Sequence, residues 1–256
     1  MRTVTIAGAS DPGCVRAENQ DRYLIDRVVA QSMRWCLSVS ADDPVFARDG
    51  MLCAVADGMG GHRGGAEASR VALETLAGAD GGGRDANGAW ISRLILEAHG
   101  KILEMSEADP ELRGMGTTVV GAHLSTGSCI VFHAGDSRLY RLRDGYLNLL
   151  TEDHAVPQVS QAGGMAPAAR STVLTNCIGG GSPVCRPAIR GDVSFRAGDA
   201  LLLCSDGLTD AVSDIAALET ILSARRSAQE AVGALIGAAR GAGGPDNITV
   251  VVVEGA

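Results

Sequence analysis

Residues 52–65 read LCAVADGMGGHRGG, and the fold turns on how this stretch is read. Leu52, Cys53, Ala54, Val55 and Ala56 form a short unbroken apolar run bounded by turn residues, the pattern of a strand buried on both faces. The strand ends on Asp57. Gly58, Gly60, Gly61, Gly64 and Gly65 follow, so the backbone is free to take crowded or left-handed conformations and to leave its carbonyls and amides open to a ligand. Beyond them Ala68, Val71, Ala72, Thr75 and Leu76 repeat as one helical face over 66–77. A carboxylate at the tip of a rigid strand beside bare backbone suits a hard cation, which takes oxygen ligands from carboxylates, carbonyls and water. Asp-Gly is also a common turn dipeptide, and the chain has others at Asp49-Gly50, Asp80-Gly81 and Asp144-Gly145. What shifts the balance is a second copy of the whole pattern: residues 200–205, ALLLCS, are another buried-strand run, and it too ends in Asp-Gly, at Asp206-Gly207.

At 256 residues the chain is long enough to bury a substantial core without disulfide or metal staples, and residues 1–256 are expected to form a single domain. The formal charge is −8 and Lys101 is the only lysine, so there is no electrostatic footprint for nucleic acid or an anionic membrane. Expected partners are proteins or small anions. Seven cysteines are scattered, odd in number and without a CxxC pair, which suits reduced, buried thiols in the cytoplasm better than a disulfide frame or a zinc site. The opening MRTVTIAGAS lacks a signal-peptide core, and no apolar run reaches the roughly eighteen residues of a membrane span. With no exposed heptad, a monomer is expected.

Along the chain, residues 3–8 read as an edge or outer strand, followed by a turn at Asp11-Pro12-Gly13. Arg16 and Asp21 lie on a short polar loop; a fixed guanidinium can grip a phosphate bidentately and Asp21 can orient metal-bound water, while the plain alternative is a surface ion pair. Residues 30–50 show no clear period and read as a loop or a ragged strand pair. A second helix carries Ile91, Leu94, Ile95, Ala98, Ile102 and Met105 on one face, with His99 beside the stripe as a helix-face residue without a partner. Residues 135–138, Gly-Asp-Ser-Arg, read as a tight turn that brings a third acid, Asp136, out of a core strand. Residues 151–154 resemble a helix N-cap, and 155–190, rich in Gly, Pro and Ala, read as a mobile flap with a short helix. Asp206 and Asp210 stand four apart where a strand passes into a loop, two helices follow at 215–222 and 228–239, and Asp246 precedes a last strand at 248–253. Strands in hairpin-like series with a few helices imply an α+β fold of antiparallel sheets packed in layers.

Asp57, Asp206 and Asp246, with Asp21, Asp136 and Asp210, come from distant parts of the chain. Gathered at one place they would repel strongly unless cations neutralised them. All-oxygen ligation without His or Cys favours Mg²⁺ or Mn²⁺ over zinc. Two such ions roughly 3.5–4 Å apart can activate a bridging water and stabilise both the entering and the leaving oxygen of an in-line phosphoryl displacement.

Taken together, Arg16-Ala17-Glu18-Asn19-Gln20-Asp21, Asp57-Gly58-Met59-Gly60-Gly61, Gly116-Thr117-Thr118, Gly135-Asp136-Ser137-Arg138, Ser205-Asp206-Gly207 and Asp246-Asn247 resemble the motifs of the metal-dependent protein phosphatases of the PP2C (PPM) type, in particular the compact bacterial members. Each motif is weak alone; their order and spacing are specific and span nearly the whole chain. The resemblance implies a four-layer α/β/β/α sandwich of two antiparallel sheets flanked by helices, with a flap from 155–190. It implies a serine/threonine phosphatase that uses two Mn²⁺ or Mg²⁺ ions and a third, weaker one. Asp57 would bridge two metals, the Gly58 carbonyl would bind one, and Asp206 and Asp246 would complete the other. Asp21 would act through coordinated water, Arg16 would bind the substrate phosphate, and Asp136 and Asp210, with Asp206 shared, would hold the third ion. Phosphorylated proteins, a serine/threonine kinase and its substrates are the implied partners.

Two departures stand out. Gln20 occupies a place where some members carry a glutamate, and Met59 the place where animal members carry a histidine proposed as general acid; His62 or metal-bound water is left as the proton donor. Two other classes compete with the enzyme reading. A pseudophosphatase would use the same fold as a binding module, yet every expected aspartate is present. A metal-dependent phosphodiesterase or nuclease on another layered fold is disfavoured by the acidic charge.

Overall fold

In a computed structural model of the chain, residues 1–32, 34–61, 63–79, 87–157 and 172–256 are described. Two six-stranded antiparallel sheets dominate them. The first runs, edge to edge, β11 (Tyr146–Leu149), β10 (Arg138–Arg143), β16 (Ala200–Cys204), β17 (Ile248–Gly255), β1 (Thr3–Asp11) and β4 (Trp35–Ser40). The second runs β15 (Ala188–Ser194), β9 (Ser128–Ala134), β8 (Val119–Ser125), β5 (Met51–Ala56), β2 (Arg22–Ile25) and β3 (Val28–Ala30). A three-stranded ribbon of β14 (Ile178–Gly179), β7 (Gly116–Thr117) and β6 (Gly58–Met59), and a hairpin of β12 (Ala155–Pro157) and β13 (Thr172–Leu174), complete the strands. The helices are α1 (Pro44–Asp49), α2 (Gly64–Ala77), α3 (Gly88–Ala108), α4 (Asp206–Ala211), α5 (Ile215–Ala224) and α6 (Ala228–Gly241).

The central strands are apolar throughout because both of their faces are covered. On β5, Met51, Cys53 and Val55 join Ile6, Leu201, Leu203, Val251 and Val253 between the two sheets. The alternate residues Leu52, Ala54 and Ala56 pack against Ala68, Val71 and Leu76 of α2 and Ile91, Ile95 and Ala98 of α3. On the far side Leu202, Val250 and Val252 meet Leu218 and Leu222 of α5 and Val232, Leu235 and Ala239 of α6. The order is helix, sheet, sheet, helix, the layered α+β architecture that the strand and helix runs imply.

Several local expectations change. The opening strand is not an edge: β1 sits between β17 and β4. Residues 30–50 hold β4 and α1, whose start is a capping arrangement with Asp43 accepting from the Val45 and Phe46 amides and proline in the first turn. The Gly135-Asp136-Ser137 turn carries the chain from β9 in one sheet to β10 in the other. Residues 151–154 do not open a helix. Thr151 instead accepts from the Leu139 amide and Asp153 grips Arg138 through paired hydrogen bonds at 2.9 and 2.6 Å, so these polar side chains hold a crossing rather than a cap. Asp206 to Asp210 lie in α4 rather than a loop. The flap expected over 155–190 falls partly outside the described residues; within them it supplies β12, β13, β14 and the start of β15, and its expected short helix is not among the described residues.

Candidate metal centre

Antiparallel pairing explains why acids far apart in sequence meet. Arg22 stands opposite Ala56, so the residue before β2, Asp21, lies beside the residue after β5, Asp57. Cys204 stands opposite Val250, which brings Asp206, just past the end of β16, toward Asp246, just before β17. These strand ends meet at a cleft of about 1020 Å³ whose lining includes Arg16, Asp57, Gly58, Asp136, Asp206 and Asp246. Asp21 is 1% exposed, and Asp210 is exposed on α4, where its charge reaches both Asp136 and Asp206.

The backbone around Asp57 is held on both sides. Its amide donates to the Thr118 hydroxyl at 3.2 Å, while its carbonyl accepts from the Thr117 hydroxyl at 2.8 Å and the Thr118 amide at 2.9 Å. The Thr118 hydroxyl also meets that of Ser137 at 2.7 Å, which ties the Asp57 strand to the Asp136 turn. Gly58 is required by close approach: a Cβ there would lie 2.1 Å from the Gly65 carbonyl oxygen. Asn247 accepts from the Gln20 amide at 2.8 Å and donates to the Pro12 and Glu18 carbonyls at 3.1 and 2.9 Å, seating the loop that carries Arg16 and Asp21. Sequence reading assigned no job to Thr118, Ser137 or Asn247. Ser137 and Asn247 each stand next to an acid in sequence, at Asp136 and Asp246, whereas Thr118 reaches Asp57 only through the fold.

The carboxyl groups disturb one another. Asp57 is pushed well above the ordinary carboxylate range by burial, with the charges of Asp21 and Asp206 adding to it. Asp206 rises to about 7, mainly by burial and then by Asp136, while its contact with Asp57 works the other way. Asp21 rises to about 6 through burial against the lowering effect of Ser205, Thr249 and Asp57. Those three groups crowd its carboxylate, yet neither oxygen has a hydrogen bond of regular geometry. Asp136 is raised by burial, and Asp153 and Asp210 add to it.

Arg16 does not face Asp21 in a surface pair. Its Nη2 donates to Asp246 at 2.7 Å, and that bond with the Asp246 charge raises the guanidinium pKa further. Among the described residues no three His, Cys, Asp or Glu side chains converge on one ion-sized point, because the carboxyls turn toward one another and toward Arg16. The donor set nevertheless fits a hard divalent cation: all oxygen, with an orphaned buried carboxylate on Asp21. Thiol chemistry does not fit, since burial pushes Cys53 and Cys204 up to about 12. His62 lies outside the described residues.

A sequence model of protein phosphatase 2C matches residues 41–235. The chain belongs to the protein phosphatase 2C family. The serine/threonine phosphatase Stp of Listeria monocytogenes is 36% identical over 214 residues, covering 78% of this chain and 82% of its own. The serine/threonine protein phosphatase PstP of Mycobacterium tuberculosis is 36% identical over 242 residues, 90% of this chain and 45% of that longer protein. A crystal structure of the PstP catalytic domain in complex with two manganese ions superposes with a TM-score of 0.73 at 32% identity, covering 98% of each chain. The family fold is thus the four-layer sandwich described above.

Proposed function

We propose that this protein phosphatase 2C enzyme hydrolyses phosphoserine and phosphothreonine in proteins, with Asp57, the Gly58 carbonyl, Asp206 and Asp246 holding two manganese or magnesium ions. Asp21 contributes from beneath through water, and Asp136 with Asp210 offers a third, weaker position. The supporting observation is the crowd of buried carboxyls at one cleft, mutually raised in pKa, with Asp21 left without a regular partner. Such crowding is costly unless divalent cations belong there. When bound, the ions supply charge stabilisation for the phosphoryl group and activate water as the nucleophile.

The remaining roles fall to the chain's own side chains. Arg16 is exposed at the cleft mouth and already grips a carboxylate oxygen of Asp246, the geometry that suits a phosphate oxygen once Asp246 turns inward. The Asp57 backbone is fixed by its threonine clamp, which leaves the side-chain torsions as the freedom by which its carboxyl turns. Val173, Leu174, Cys177 and Gly180 form the wall beside the cleft against which a protein substrate would lie. Met59 lines the same cleft and carries no proton to give, so the leaving oxygen must take its proton from another donor.

The seven cysteines are unpaired, five of them buried, which supports a cytoplasmic setting, and among the described residues no helix is long and apolar enough to cross a membrane. We place the enzyme in signalling as a monomer acting against a serine/threonine kinase. The deciding assay is release of phosphate from a phosphothreonine peptide with Mn²⁺ and with excess chelator. Turnover should require the metal and be lost in Asp57→Ala and Asp206→Ala while circular dichroism is unchanged. Full turnover in chelator would end the metal reading, and a preference for a phosphodiester would move the enzyme to another class.

A further inference from the structure

The ribbon β14-β7-β6 is made of two-residue strands, too short to hold themselves. It nevertheless carries the Gly58 peptide: Gly58 pairs with Thr117, and Thr117 pairs with Ile178. Something outside the ribbon must fix its outer strand. His99 of α3, 6% exposed, does so: its Nδ1 accepts the Gly179 amide at 3.0 Å. The next amide, Gly180, donates to the Met115 carbonyl at 2.8 Å. Gly179 lies so close to α3 that a Cβ would sit 2.3 Å from Ile102 Cγ2, and its φ of +74° adds to the demand for glycine. The sequence suggests a partnerless helix-face histidine here; the structure gives it a buried partner instead.

We infer that His99 is a positioning residue for catalysis: by anchoring Gly179 to α3 it locks the outer strand of the ribbon and thereby the Gly58 carbonyl and the clamped Asp57 peptide at the cleft floor. The path is continuous. Gly179 is held by His99, β14 pairs with β7, and Thr117 of β7 both pairs with Gly58 and donates its hydroxyl to the Asp57 carbonyl at 2.8 Å. The same anchor sets the cleft wall, since Cys177 and Gly180 flank β14 and both line the cleft. A buried amide that loses its acceptor is expensive to leave unpaired, so without the imidazole the outer strand should detach rather than stay in place.

The inference rests on the metal-centre reading for its catalytic consequence, but the anchor can be read without it. The substitution His99→Asn keeps an acceptor at the place of Nδ1, whereas His99→Gln moves the acceptor one bond outward and His99→Leu removes it. Hydrogen exchange at the Gly179 and Gly180 amides of the metal-free protein should accelerate about tenfold in His99→Gln and His99→Leu and stay within about threefold in His99→Asn. With saturating Mn²⁺ and a phosphothreonine peptide, kcat should fall about tenfold in the first two and recover in His99→Asn, with KM little changed. Equal losses in His99→Asn and His99→Gln, or wild-type exchange and kcat in His99→Gln, would overturn the inference. Should His99→Leu fail to fold, the Asn and Gln pair decides. Exchange that follows this order in an enzyme whose wild type shows no Mn²⁺-dependent turnover would uphold the anchor and reject the metal reading instead.

Discussion

Replacing Asp21 by asparagine should make the metal-free protein more stable at alkaline pH, although it removes a buried group from the centre of the molecule. Asp21 is 1% exposed and its carboxyl is raised from 3.8 to about 6, chiefly by burial. Because the folded value lies above the unfolded one, the group's stabilising contribution is complete below about pH 4 and is lost as pH rises through about 6. At about pH 8 the fold therefore carries the whole penalty, roughly two pH units at 1.36 kcal/mol each, or about 3 kcal/mol. Asparagine has nearly the same volume and no charge, and the hydroxyls of Ser205 and Thr249 stand beside it to accept its amide. For a chain of this size that gain corresponds to a rise in Tm of roughly 6–12 °C. Thermal unfolding in chelator at about pH 8 and at about pH 4 reads it: a gain at the higher pH that vanishes at the lower. Added Mn²⁺ should then stabilise the wild type more than the variant. An asparagine variant less stable than wild type in chelator at about pH 8, or shifted equally at both pH values, would show that burial of the Asp21 charge carries no such penalty.

Arg16→Ala should raise KM for a phosphopeptide about tenfold while kcat changes less than about threefold, since the guanidinium binds and does not react; steady-state kinetics separate the two. Gly58→Ala should destabilise the fold by about 3 kcal/mol, because its Cβ would fall 2.1 Å from a backbone oxygen that cannot swing aside, and urea unfolding measures it. Cys177→Ser should leave kcat within about twofold, as the Cys177 thiol lines the cleft but is pushed up by burial and holds no nucleophilic role; a larger loss would reopen thiol chemistry.

How much of this was readable without coordinates varies by element. The long helices and central strands were, because apolar residues at helical spacing on α3 and unbroken apolar runs on β5 and β16 are local consequences of what each face buries. The cap of α1 was also present in the letters Asp43-Pro44, but it starts a helix too short for periodicity to show. The polar residues of 151–154 misled in the opposite direction: they match a cap pattern, while Asp153 accepts from Arg138 and Thr151 from the Leu139 amide, partners that no local reading can see.

The class of chemistry is written in the order of residues alone: acids at strand ends beside glycines, in an order shared with the protein phosphatase 2C family, with no histidine or cysteine cluster to suggest another metal. Folding in three dimensions is what buries Asp21 beside Asp57, turns Arg16 to Asp246 and brings His99 to Gly179. Each of these depends on which strands pair, and in which register. Antiparallel pairing sets one strand's last residue beside another's first across many positions of chain, and proximity of that kind leaves no mark on the local pattern of residues.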